Sequence, residues 1–221
     1  MPPSCCSLKA VPFLIAEALT KMKKIAPRAG SLIAVTGNIA SGKTFVTKIL
    51  NKQGFAIFAL DNFAKNLLID NLDVRTKLFK HFPHLFHNGD IDRKGLRDNI
   101  FSDRKSLGIV EKIIHVHTLR KIVELKRKTA EGGRSVIVES ALIFEKRREK
   151  YFDAIINVVS PHQLKLERVQ QQGKINVKMF LSILKLQLPF SQTGHRSDFT
   201  IYNFARLHTI KSIKKIIHYG N

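Results

Sequence analysis

The sequence predicts an α/β fold, a parallel sheet of about five strands flanked by helices. Three observations predict it. Short apolar runs rich in Val and Ile recur along the chain. Segments of helical periodicity lie between them. The chain has 221 residues, with 44% hydrophobic and 25% charged residues, enough to bury a core without disulfides. A run that is apolar on both sides needs cover on both faces, and alternating strands and helices supply it.

The elements follow in order. Residues 1–29 stand apart as an N-terminal extension, with prolines, lysines and one amphipathic segment from Val11 to Lys24. Read as a targeting presequence, the stretch has too few Arg and Ser and no clean cleavage pattern. The preferred reading is a product of start-site choice, with Met22 as the natural start. One domain covers 30–221. Its first strand is Ser31–Thr36, followed by a helix from Thr44 to Asn51. The second strand is Gly54–Ala59. Helical stretches cover about 62–82, 93–101 and 105–128. Strands follow at Ser135–Glu139 and Ala154–Val159, with a fifth near Ile201. A helix from Thr209 to His218 closes the chain, and no internal repeat is present.

Charge and composition narrow the function. Thirty-eight Lys and Arg against 17 Asp and Glu give +21. Such a field favours anionic partners. Nucleic acid is not the expected one, because no basic-aromatic ribonucleoprotein pattern accompanies the charge. No apolar run reaches eighteen residues, which argues against a membrane-spanning helix. Cys5 and Cys6 are adjacent and offer no framework for bridging distant segments. A reducing, cytoplasmic setting is expected. His81, His84 and His87 recur every third residue, but Pro83 breaks the register and no Cys or acidic partner is well spaced. A loop is expected there rather than a metal site.

The strongest signal is Gly37-Asn38-Ile39-Ala40-Ser41-Gly42-Lys43-Thr44, which matches G-x-x-x-x-G-K-[ST] between a strand and a helix. The residue types suit phosphate binding. Gly37 and Gly42 let the chain wrap so that backbone N–H groups point inward. The helix start adds its positive end. Lys43 is a mobile charge for the β- and γ-phosphates, and the Thr44 hydroxyl is a ligand for Mg²⁺. ATP and Mg²⁺ are therefore the expected cofactors. The motif alone is shared by kinases, GTPases and motors. Asp61 ends the second strand, where a carboxylate would face the γ-phosphate; as a group that orients an acceptor hydroxyl or as a helix N-cap it fits equally well.

Several motifs together are similar to the dephospho-coenzyme A kinase family. Val35 to Thr44 resembles V-T-G-G-I-A-S-G-K-S. Leu60-Asp61 is similar to a D-A-D segment, with Ala59 for the first Asp. Gly89 to Arg93, Leu96 and Ile100-Phe101 resemble D-G-x-L-D-R-x-x-L…V-F. Glu111 to His115 resembles L-E-x-I-x-H-P, with Val116 for the proline. Val138 to Glu145 resembles the P-L-L-F-E segment, with Ala141 for the proline. Ser197 to Asn203 resembles A-D-F-V-I-x-N. The resemblance spans about 31–217. It implies a nucleotide-binding kinase fold and transfer of the ATP γ-phosphoryl to the ribose 3′-hydroxyl of dephospho-coenzyme A. It also implies a helical acceptor-binding region over about 62–128 and a lid over about 165–197. Asp61 becomes the base or hydroxyl-orienting group. Arg93, His115 and Glu139 become candidates for the acceptor pocket or for bracing it, Glu139 alternatively a strand-end carboxylate that orders water around Mg²⁺, and Arg168 a lid arginine on the nucleotide. A monomer or small homo-oligomer is expected. The rivals are another small nucleoside or nucleotide kinase, and a degenerate module that binds ATP or nucleic acid.

The lid departs from the family pattern. Gln172 stands four residues after Arg168, where a second arginine is usual, and Ile183 replaces the arginine of R-I-x-x-Q. Gln187-Leu188-Pro189 keeps Q-x-P. Lys174, Lys178, Lys185 and Arg196 are the cations available as substitutes, although lysine lacks the bidentate fork.

Overall fold

The computed structural model describes residues 25–27, 29–173 and 175–217. The start-site reading of Met22, and most of the expected extension, lie outside those residues. Five strands form one parallel sheet: β1 (Leu32–Thr36), β2 (Ala56–Ala59), β5 (Val136–Glu139), β6 (Ala154–Val159) and β7 (Phe199–Tyr202). Their spatial order is β2-β5-β1-β6-β7, and every pairing is parallel. The register aligns Val35 with Glu139 and Ile156, and Ala59 with Glu139. The carboxyl ends of the strands therefore share one edge, where ligands of such sheets bind.

Side-chain alternation divides the core. Ile33 and Val35 of β1 pack on one face with Val46, Leu50, Ile156, Ile213 and Ile216. Leu32 packs with Leu60, Ile122 and Val138, and Ala34 with Ile143 and Ile155. Helices α1 (Lys43–Lys52) and α9 (Arg206–Ile216) cover the first face. Helix α2 (Leu60–Asp70) and α5 (Arg104–Gly132) contribute Leu60 and Ile122 to the second. Ile25, within the stretch set apart as an extension, is buried, bridges Ile217, and donates its N–H to Ile216 O at 2.9 Å.

The helical region between β2 and β5 differs in detail from the sequence reading. The helical region expected over about 62–82 is divided into α2 and α3 (Leu72–His81). Asn71 is extended between them, and its side chain accepts from Val74 N at 3.0 Å. Asparagine offers the backbone that alternative partner, so the helix restarts. A short hairpin, β3 (Phe86–His87) and β4 (Asp90–Ile91), was not anticipated. Its turn, Asn88-Gly89, has positive φ at both residues (52° and 85°), the pairing that favours a tight hairpin. Helix α4 (Arg93–Ser102) follows. Asp103 then caps α5 by accepting from Lys105 N and Ser106 N. Leu67, Val74, Leu78, Phe82, Leu96 and Val110 form a separate small core for this region.

After β6 come α6 (His162–Gln172), α7 (Val177–Leu186) and the one-turn α8 (Phe190–Thr193). Among the described residues no helix is long and apolar enough to cross a membrane. His81, His84 and His87 are exposed, and no group of three or more His, Cys, Asp or Glu among the described residues is placed to hold a metal.

Candidate active site

The loop between β1 and α1 wraps at the sheet's carboxyl edge. Gly37 has φ 139° and Gly42 φ 90°, and a Cβ on either would drive into Val158 O or Asn203 Nδ2. These two positions need glycine for the turn and for the close approach. The loop is braced from behind. Ile39 N donates to Gln187 Oε1 at 2.8 Å, Asn38 Nδ2 to Leu188 O at 3.2 Å, and Leu188 N to Glu145 Oε1 at 2.9 Å. The retained Q-x-P segment is thus a buttress of the loop.

Lys43 Nζ donates to Gly37 O at 2.9 Å and Asn38 O at 3.1 Å. Burial pulls this ammonium below the ordinary lysine value, against the opposing fields of Asp61, Glu139 and Glu145. An anion beside it would raise it again. Thr44 Oγ1 donates to Glu139 Oε1 at 2.7 Å, and Thr47 Oγ1 to Glu139 Oε2 at 2.9 Å. A hydroxyl and a carboxylate at a helix start are hard oxygen donors that suit Mg²⁺.

Asp61 lies in the first turn of α2, whose N-cap residue is Ala59. Its carboxylate does not cap that helix. Oδ1 accepts from Ser140 Oγ at 2.8 Å, and Oδ2 from Ala141 N at 3.1 Å. Residues just past β5 therefore fix the carboxylate's orientation. Arg168 donates from Nη1 to Ala40 O at 3.0 Å and Ser160 Oγ at 2.9 Å, and from Nη2 to Asn203 O at 3.0 Å. It ties helix α6 to the loop.

One cavity of about 1140 Å³ brings together Ile39, Ala40, Gly42, Lys43, Thr44, Asp61, Glu139 and Arg168. Gln172 also lines it, one turn beyond Arg168. Arg93 and His115 do not. Arg93 is exposed at the start of α4, and His115 sits on α5. Of the cations offered as lid substitutes, Lys178 and Lys185 are exposed and away from the cavity, and Lys174 is outside the described residues. Arg196 is occupied: it pairs with Glu149 and lies 4.9 Å over the Phe144 ring. Sequence reasoning missed Lys48, Lys52, Lys65, Phe204 and Arg206, which line the cavity. Lys48 and Lys52 sit four and eight residues beyond Thr44 on α1, a helical spacing that was available as a signal.

A loop turned by two glycines between a strand and a helix, a fixed carboxylate in the same cavity and the parallel sheet beneath them are the arrangement of a phosphotransferase, a kinase of the phosphate-loop class. Comparison with known proteins narrows the class. The family model for dephospho-CoA kinase matches residues 31–208, and the chain belongs to that family. Its ATP-dependent reaction phosphorylates an alcohol group of dephospho-coenzyme A to give coenzyme A. The chain is 32% identical over 178 residues to a dephospho-CoA kinase of Fusobacterium nucleatum, covering 80% of this chain and 91% of that one. It is 28% identical over 188 residues to one of Legionella pneumophila, covering 84% and 92%. A Thermus thermophilus crystal structure superposes with TM-score 0.73 at 26% identity, covering 84% and 94%. A dephospho-CoA kinase from Campylobacter jejuni shares the fold at TM-score 0.56 and 24% identity, covering 85% and 97%.

Proposed function

We propose that the cavity at the phosphate-binding loop carries out the family's reaction on the ribose 3′-hydroxyl, with Asp61 as the group that orients and deprotonates it. One observation carries this reading: Ser140 and Ala141 hold the Asp61 carboxylate in a cavity shared with Lys43 and the Thr44–Glu139 pair. The backbone N–H groups of the loop bind the β- and γ-phosphates of ATP. Lys43 moves from the Gly37 and Asn38 carbonyls to the phosphoryl oxygens. Thr44, with Glu139 beside it, would hold Mg²⁺, which supplies charge neutralisation at the phosphates. The acceptor oxygen attacks the γ-phosphorus, the bond to the β–γ bridging oxygen breaks, and the hydroxyl proton passes to Asp61. ADP leaves.

On this reading the domain runs over 30–221, the helical region of 62–128 receives the acceptor with Arg93 and His115, and 165–197 is the lid. Arg168 closes on the nucleotide together with Arg206, which already lines the cavity. The adjacent Cys5-Cys6 pair suits a reducing, cytoplasmic setting, and the enzyme works as a monomer or small homo-oligomer. A coupled ADP-release assay with ATP, Mg²⁺ and a panel of acceptors tests the proposal. Turnover specific to dephospho-coenzyme A is expected. Turnover confined to adenosine or a nucleoside monophosphate would overturn it.

A further inference from the structure

Behind Asp61 lies a buried cation that neither the sequence reading nor the reaction above uses. Arg148 is 6% exposed, on the segment that follows β5. Among the described residues no carboxylate pairs with it. Its Nη2 lies 2.7 Å from Thr118 Oγ1 and 3.0 Å from His115 Nδ1, and its Nε is buried without a partner. The carboxylate of Asp61 acts on it through space. The segment is also pinned to α5 by Lys146, which pairs with Glu111 at 2.6 Å. The same segment begins with Ser140 and Ala141, the two residues that hold Asp61.

The chemistry of this contact fixes a proton. A guanidinium has five N–H donors and no acceptor. Its contact with His115 Nδ1 is therefore a hydrogen bond only if that nitrogen carries a lone pair. The ring is then neutral with its proton on Nε2. Among the described residues Nε2 has no partner, so the ring presents a free N–H donor on its far side. A buried cation without a counter-charge in contact is costly.

We infer that Arg148 is a positioning residue for the acceptor: it locks His115 as the Nε2–H tautomer, so that this N–H donates to an oxygen of dephospho-coenzyme A while the Ser140–Ala141 segment holds Asp61. The inference rests on the proposed acceptor site at Asp61. It adds a residue that acts through another and touches no reacting atom.

The test uses the full chain labelled with ¹⁵N-histidine, with the His115 signals assigned by their loss in His115→Gln. Long-range ¹H–¹⁵N spectra at neutral pH should show the Nε2–H form of His115. Dephospho-coenzyme A should shift these signals, and ATP alone should not. Arg148→Met should relax the tautomer preference and raise KM for dephospho-coenzyme A about tenfold, with KM for ATP within about twofold. Arg148→Lys, which keeps a donor, should recover part of the acceptor affinity and covers the case in which the methionine variant folds poorly. An Nδ1–H tautomer, signals indifferent to the acceptor, or an unchanged acceptor KM in both variants would overturn the inference. The reading of Asp61 fails separately, through an Asp61→Asn enzyme that keeps its rate.

Discussion

On the proposed nucleotide side of the cleft the phosphate-binding surface is the backbone of the single stretch Gly37–Thr44. The proposed acceptor side rests on a side chain, Asp61 of α2, held from the end of β5, while His115 of α5 lies outside the cavity lining. The two sides also differ in how they are held. The loop is set by two left-handed glycines and by bonds to Gln187 and Leu188. Asp61 depends on a neighbouring segment that is itself tied to α5 through Lys146 and Arg148. A phosphate is the same in every nucleotide, so a preset backbone nest suits it. An acceptor must be told from others of its kind, and adjustable side chains suit that task.

The comparison is broken most strongly at Lys43. Lys43→Ala should lower kcat about 10³-fold and weaken ATP binding, because it removes the mobile charge on the transferred phosphoryl group. ADP release and nucleotide titration check both. A variant that loses ATP affinity but keeps its rate would place charge stabilisation elsewhere in the cavity.

Helix α6 sharpens the comparison. Gln172 lines the cavity one turn from Arg168. Gln172→Arg should raise kcat by about threefold to tenfold, as a second guanidinium reaches the transferring group. An unchanged kcat in the same assay would show that cations already present, such as Arg206, supply that charge.

Two smaller effects concern the acceptor side. Burial, with Arg148 and Lys146 beside it, holds the His115 imidazole below its ordinary value. Just below a pH of about 6.5 the unfolded chain then binds more protons than the folded one. Folding stability should therefore fall as the pH drops from about 6.5 toward the folded value, and be fully present above that window. Urea denaturation at several pH values should show a shallower slope in His115→Gln. An equal slope in both proteins would mean the ring is not constrained. Asp103→Ala removes the cap of α5, which accepts from Lys105 N, Ser106 N and Ser106 Oγ. A Tm lower by about 3 °C is expected, read by thermal denaturation, with acceptor KM little changed.

What the sequence made legible follows the same division. The five strands are where the apolar runs place them, because a strand buried on both faces has no other way to satisfy Val and Ile. The loop was legible because its function needs contiguous residues of fixed type. The break at Asn71 was hidden, since a single capping side chain decided it within a helical pattern. The Asn88-Gly89 hairpin carried a readable turn signal that the flanking histidines obscured. Phe204 and Arg206 reach the cavity only through the fold, so no spacing announces them, whereas Lys65 stands one turn beyond Asp61 on α2. Asp61 follows the second strand in sequence and lies in the first turn of α2, but its partners Ser140 and Ala141 are about eighty residues away and depend on strand order.

The central claim is that Asp61 serves the acceptor and not the nucleotide. Single-turnover phosphoryl transfer to dephospho-coenzyme A by Asp61→Asn, with ATP affinity measured on the same protein, tests it most directly. The account predicts a rate lower by about 10³-fold with ATP affinity within about twofold of the unaltered chain. A near-normal rate, or a loss of ATP affinity that accounts for the whole defect, would contradict it.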